Sequence, residues 1–476
     1  MFKRISVIIL SLFAYAGTYG QDPQAQKNFE DDILITSDGK ADSLQHLLHH
    51  FGTFEGHIRT YFMSTVNLAS GTHYYALAAG GGLAYYSPVI KNFQAGLSGS
   101  MIYNLASSPL APENGYPNRY ELGLFDVTNP GNRDDLDRLE KLYLRYYLNE
   151  GKRSFAQLGR FSVRTPLVNL QDGRMRPNLQ EGFWFEFNEP ARLRASGGWL
   201  WKTSPRGTVN WYHIGESVGV YSNGRAVNGA PASYFGHIKS KNIFVANLAW
   251  RPAQNVEYQY WNYYVDHLFN VALQEIEASK KTAAVTWSGG FQYLWERSLS
   301  DPSVPVENQY IGPDEQSHAF SGRFAVVRNK DASEWSVNYT RITSHGRFLF
   351  PREWGIEPLY TFNSRERNEG AGDVHAVMVD HQRNVDKAGR SSIRLVAGLY
   401  RMPPLSDARL NKYAMPSYYQ LGLHGHYRFR GYLSGLEARM IYTYKGNLDR
   451  QPEYRPLLAH NKTDMHHLSV IMDYFF

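Results

Sequence analysis

The sequence predicts an all-β fold: a transmembrane antiparallel β-barrel of about 18 strands, with the third extracellular loop folded into its lumen. Three observations lead there. Period-two segments of about ten residues, the length of a tilted membrane strand, recur from Phe54 to the C-terminus. The links between them alternate short and long. Mean hydropathy is low, at −0.46, while aromatics reach 14%, with 34 Tyr and 10 Trp. Such a balance fits strands that are apolar outside and polar inside, ringed by aromatic girdles. A large secreted β-rich protein, such as a carbohydrate-binding sandwich, shares the composition. It has no reason to keep the alternation of links.

Residues 1–20 read as a secretory signal. Lys3 and Arg4 precede a short apolar core, Ile5 to Tyr15, and the small residues Ala16, Gly17 and Gly20 follow. Cleavage is expected after Gly20. The apolar core is too short for a helical span, which needs about 20 residues. The 476-residue length suggests two or three soluble domains, yet no linker divides the chain. With no cysteine, a lipid anchor and disulfide staples are both excluded. Net charge is +6; without Lys3 and Arg4, 50 − 2 = 48 basic residues face 44 acidic ones. That excess is too mild and too dispersed for a nucleic-acid partner.

Residues 21–53 are expected to form a periplasmic N-terminal segment. It holds Glu30, Asp31 and Asp32, then His46, His49 and His50. Without a carboxylate at suitable spacing the histidines read as solvated rather than metal-binding, so no metal and no cofactor is expected. The barrel is expected over 54–476. Candidate strands are 54–66, 73–86, 92–104, 138–148, 153–162, 181–188, 191–201, 241–250, 255–263, 267–276, 282–295, 318–328, 333–343, 372–382, 391–402, 418–430, 434–446 and 465–476. Short links such as Asn149–Lys152 and Asn329–Ala332 alternate with long ones such as Leu105–Asp137, Val163–Gln180 and Ser344–Ala371, with one short exception near Tyr264. Outer-membrane barrels pair short periplasmic turns with long extracellular loops in this way. The last strand sets Leu468, Val470, Met472, Tyr474 and Phe476 on one face. A final strand ending in Phe resembles the signal read by the bacterial outer-membrane assembly machinery.

Alternation also assigns the lumen face. Arg59, Arg145, Arg323, Arg394, Arg428, Arg430 and Arg439 fall opposite the apolar faces of their strands. A charge on the lipid face near the midplane costs roughly 2–4 kcal/mol, so these side chains belong inside. They either guide carboxylates through bidentate contacts or pair with lumen acids. The seventeen histidines form no catalytic motif, and neither Gly-x-Ser-x-Gly nor His-Glu-x-x-His occurs. Gly80-Gly81-Gly82 lies in a strand, where glycine marks curvature rather than a phosphate cradle. No enzyme is expected.

One stretch fits neither a turn nor a strand. Gly159 to Gly182 carries Arg160, Arg164, Asp172, Arg174, Arg176 and Glu181, stiffened by Pro166 and Pro177. Eighteen strands enclose an aqueous lumen, and a long loop after the fifth strand is a natural element to narrow it. Gly159-Arg160, Thr165-Pro166, Asp172-Gly173-Arg174, Pro177 and Glu181-Gly182 resemble the third-loop region of OprD-type outer-membrane porins. Tyr427-Arg428-Phe429 with Leu433-x-Gly435-Leu436-Glu437-Ala438-Arg439 is similar to that family's late strands, and Tyr263-Tyr264-Val265-Asp266 to its short mid-barrel loop.

The resemblance implies a pore in the outer membrane of a Gram-negative bacterium, often a homotrimer. Such a pore passes small anionic or zwitterionic solutes bearing carboxylates, such as amino acids or organic acids. It also implies that Asp172, Arg174 and Arg176 line a constriction, with Arg428, Arg430 and Arg439 on the wall opposite; Arg160 is a further candidate for the pore lining. His424, His426 and Met175 depart from the pattern, so solute preference does not transfer. The alternative is a plugged or structural outer-membrane barrel that acts as a binding component of a larger complex.

Overall fold

The computed structural model describes residues 51–476, apart from 112–117, 172, 189–191, 366 and 450–458. The signal segment, His46, His49, His50 and Asp172 therefore lie outside the described residues. Nineteen strands form one sheet. They are β1 (Thr53–Asn67), β2 (His73–Tyr86), β3 (Phe93–Ser107), β4 (Arg138–Tyr147), β5 (Phe155–Phe161), β6 (Leu179–Phe187), β7 (Leu193–Ser204), β8 (Tyr212–His213), β9 (Ile243–Ala253) and β10 (Val256–Val265). Then follow β11 (Phe269–Lys281), β12 (Val285–Ser298), β13 (Gln316–Arg328), β14 (Ser333–Ile342), β15 (Val374–Asn384), β16 (Ser391–Arg401), β17 (Tyr418–Arg428), β18 (Leu436–Asn447) and β19 (Met465–Phe475).

Two-residue β8 pairs only with the end of β7, which itself goes on to pair with β9. Nineteen less one leaves 18 staves. Every stave is antiparallel to its neighbours, and β19 returns to β1 in register from Phe475↔His57 to Met465↔Asn67. The ring is closed. Every stave edge is thereby paired, which a sheet facing lipid requires. All the candidate strands are present within a few residues of their expected ends. At the long-loop end the 266–268 link is short, as read near Tyr264, and the 68–72 link between β1 and β2 is short as well.

The outer wall exposes Ile58, Leu142, Leu144, Phe324, Val337, Leu395, Leu399 and Leu421. The inner wall buries Ser98, Ser100, Gln157, Ser321, Asn338, Thr340, Gln420 and Ser469. Gly159 holds β5 close to β4. Its φ is +121°, and a Cβ there would lie 2.2 Å from the Leu142 carbonyl oxygen, so no other residue fits.

The long-loop half of the interior is not purely aqueous. Leu167, Val168, Phe348, Leu349, Phe350 and Trp354, all from loops, pack with the inward-facing Tyr263, Phe269, Tyr400 and Tyr418. A second cluster joins Leu124, Phe125, Leu136 and Met175 to Tyr61, Met63, Ala76 and Ile102 of β1–β3. Trp354 Nε1 donates to Ser217 Oγ at 2.8 Å, which ties two loops together within the first cluster. Beside it Lys412 is buried in a cage of Tyr310, Tyr234 and Tyr413, at 3.9, 4.6 and 5.6 Å from the ring centroids.

Burial lowers the Lys412 ammonium to about 7, partly offset by Glu369. An unfolded lysine titrates near 10.4, so between about 7 and 10.4 the unfolded chain binds more protons and stability rises with pH. The stability present above pH 10.4 is lost as pH falls towards 7. Thermal unfolding in detergent is expected to show a midpoint that climbs from pH 7 to 10. In Lys412→Met the climb is smaller; an identical pH dependence in the two proteins contradicts the cage.

Candidate pore lining and constriction

Six of the expected inward arginines face the lumen, and each has a partner. Arg59 Nε meets Asp473 Oδ1 at 2.6 Å, and Arg439 takes the other oxygen of the same carboxylate. Arg428 Nε and His426 Nε2 share Glu437, each at 3.0 Å. Arg394 meets Asp380 at 2.6 Å, and Arg323 pairs with Glu334. Arg145 Nη2 donates to Gln157 Oε1 at 2.9 Å, with its guanidinium 4.4 Å from the Phe155 ring centroid. The same alternation also points Arg194 and Arg251 inward, opposite the exposed Leu193 and Trp250, and both bind Glu257. The sequence reading missed that triad. These groups lie towards the short-turn end of their staves, so that part of the wall alternates in sign.

Four expected positions are corrected or left open. Arg160 sits in register with the outward Leu142 and shares a face with Leu158. It pairs with Glu181 at 2.8 Å and lies 4.6 Å from the Trp211 ring, on the outer wall. Arg176 is wholly buried and donates to the carbonyls of Leu136 at 2.8 Å and Phe125 at 2.5 Å. It fastens the loop after β5 to the loop after β3 and does not line a pore. Arg430 lies beyond the end of β17, exposed in the short turn before β18. Asp172 is outside the described residues.

Arg174 enters a different arrangement. Its carbonyl accepts from Arg59 Nη1 at 2.7 Å, and the Gly173 carbonyl accepts from the Tyr61 hydroxyl at 3.4 Å, both on the inner face of β1. Further along the same loop, the Leu167 N–H donates to the Tyr263 hydroxyl of β10 at 3.3 Å. β1 and β10 stand eight pairings apart around the ring, so the segment touches inner walls on both sides. Arg365, from the loop after β14, donates to the Tyr61 hydroxyl at 2.9 Å and to Ser469 Oγ at 2.8 Å. Arg206, from the loop after β7, donates to the Gln171 carbonyl at 2.9 Å.

Arg174, Arg206 and Arg365 have no carboxylate at ion-pair distance among the described residues. Burial first, then the Arg365 charge, brings the Arg174 guanidinium down to about 10. Burial and the Arg174 charge push Arg206 well below its usual range. Gln171 and Arg365 are held at φ +45° and +67°, a left-handed backbone that L-residues seldom adopt. Periodicity carries no information about such loop contacts. The only signals were Arg206 between Pro205 and Gly207, and the Arg365-Glu366-Arg367 run.

A closed barrel of 18 lipid-facing staves, apolar along the outer midsection and polar within, is a membrane-spanning β-barrel of the outer-membrane type. Residues 150–373 match the family model described as outer membrane porin, OprD family. That stretch runs from the turn before β5 to the loop after β14, and over it the chain is similar to the OprD family of porins. Solved barrels share the fold across nearly the whole length. OccK9 (OpdG) of Pseudomonas aeruginosa has a TM-score of 0.66 at 15% identity, over 89% of this chain and 97% of that one. OccAB3 of Acinetobacter baumannii has a TM-score of 0.68 at 14% identity, over 89% and 98%. OpdK of Pseudomonas aeruginosa, in a structure with vanillate, has a TM-score of 0.66 at 13% identity, over 89% and 98%. No curated protein matches the chain.

Asp473 is 1% exposed and holds both Arg59 and Arg439. Removing one partner of a buried pair strands the other charge at a cost of about 3–5 kcal/mol. Asp473→Ala is expected to lower the urea midpoint of the detergent-solubilised barrel by a corresponding amount. Asp473→Ala combined with Arg59→Met is expected to recover part of the loss. No recovery in the double variant contradicts the pairing.

Proposed function

We propose that the chain is a passive, selective diffusion channel for small carboxylate-bearing solutes such as amino acids or organic acids. The observation that carries this reading is the group of three guanidiniums, Arg174, Arg206 and Arg365, brought together by three loops without a carboxylate partner among the described residues. Like charges in a low-dielectric setting repel, and a passing anion relieves that repulsion. A guanidinium also offers paired donors that match a carboxylate. The loop after β5 narrows the lumen here, since it reaches both β1 and β10. The paired rungs Arg59, Arg323, Arg394, Arg428 and Arg439, with Arg145, then keep the lower wall polar without trapping the solute. Asp172, next to Gly173 in the sequence, is the carboxylate proposed to serve a solute's ammonium group.

Vanillate, held in the related OpdK structure, is itself a carboxylate. One chain closes the ring and supplies the whole guanidinium group, so the reading needs no trimer. The second reading, a plugged barrel serving a larger complex, draws on the hydrophobic loop packing around Trp354 and Phe348.

Liposome swelling separates the two. Small carboxylates are expected to enter faster than neutral sugars of similar size. Arg174→Ala with Arg365→Ala is expected to reduce that preference about tenfold, the loss of two charge-assisted contacts. An unchanged preference overturns the constriction, and no swelling with any solute favours the plugged barrel.

A further inference from the structure

The outer wall carries a basic row that the channel does not use. On three adjacent staves Arg341, His375 and Arg401 stand in direct register: Arg341 of β14 faces His375 of β15, which faces Arg401 of β16. Two residues further from the loops, in the same strands, are Tyr339, Val377 and Leu399, all well exposed on the lipid side. The basic row therefore points outward. Arg297 of β12 and His318 of β13 extend it on one side. The His318 ring lies 5.6 Å from that of His345, in the loop above.

Among the described residues, carboxylates are scarce along this row. Among the described residues, the outward positions of β12–β16 hold none; Glu296, Glu334 and Asp380 all fall on inward positions. Asp373, just before β15, meets Arg341 at 2.6 Å. The Arg297 and Arg401 side chains are exposed and make no hydrogen bond or ion pair with any described residue.

Depth identifies the partner. Along the outer face of β16, Ile393, Leu395, Ala397 and Leu399 lie between Ser391 and Arg401. Those ten steps rise about 33 Å along the strand, or about 25 Å along the membrane normal at a 40° tilt. That is the height of the apolar band, so Arg401 stands at its upper edge. The edge lies at the long-loop end, which faces the cell exterior in outer-membrane barrels. A guanidinium there meets headgroups rather than acyl chains, and binds phosphate through paired donors.

We propose that the outer rim of β12–β16 binds phosphate-bearing headgroups of outer-leaflet lipids. Arg297 and Arg401 supply the uncommitted charge, and His318, His345 and His375 supply further donors. Facing outward, these side chains take no part in the solute path, so the proposal stands apart from the channel function.

Native mass spectrometry of the full chain in dodecyl maltoside, titrated with diphosphoryl lipid A, tests it. The wild type is expected to retain the lipid, and Arg297→Gln with Arg401→Gln to bind it about tenfold more weakly or worse. Arg297→Lys with Arg401→Lys keeps the charge and is expected to keep most of the binding, which separates recognition from misfolding. Fully dephosphorylated lipid A is expected to bind poorly, and inorganic phosphate at equal concentration not to displace the lipid. Equal binding by the Gln variant, equal binding of the dephosphorylated lipid, loss of binding by the Lys variant, or displacement by inorganic phosphate each overturns the proposal.

Discussion

Everything in this structure depends on the β1–β19 pairing. Lipid offers no donors or acceptors, so a spanning sheet must satisfy its own edges. Eleven register pairs between β1 and β19, from His57↔Phe475 to Asn67↔Met465, do so. Closure fixes which residues face lipid, because the side-chain period is two. It also fixes where charge can go. Arg59, Arg323, Arg394 and Arg439 sit inside because the outside is closed to them, and once inside a partly desolvated cation needs a counter-charge. The ion pairs of the lower wall thus follow from closure before any function is considered.

The guanidinium group at the level of the loop after β5 departs from that rule. Three arginines approach one another with no carboxylate at ion-pair distance among the described residues, and two nearby residues, Gln171 and Arg365, hold left-handed backbone. Both features cost free energy. The loops are kept in place by packing that has nothing to do with solute: the Trp354 cluster, the Lys412 cage, and Arg176 bound to two carbonyls of the neighbouring loop. Stability stored in the dry part of the interior offsets strain in the polar part.

The division between what was legible in the sequence and what was not follows the range of the forces. Strand positions were legible because lipid on one side and polar groups on the other impose alternation on every stave. The faces of Arg145, Arg323, Arg394 and Arg439 came with it, and Arg194 and Arg251 could have been read in the same way. Arg430 was misplaced because periodicity does not say where a strand stops; Gly431, at φ +68°, turns the chain just after it. Arg160 shares the parity of Leu158, so alternation alone places it outside. Arg176, Arg206 and Arg365 make loop contacts across long stretches of chain, which leave no local pattern.

The reversal potential of the wild-type channel in a planar bilayer, under a roughly tenfold KCl gradient, tests the central claim most directly. The proposed constriction, with three guanidiniums that have no carboxylate at ion-pair distance among the described residues, makes chloride the favoured ion, so the expected potential lies on the anion side of zero. A potential at zero or on the cation side, or a membrane that the protein leaves non-conducting, contradicts it.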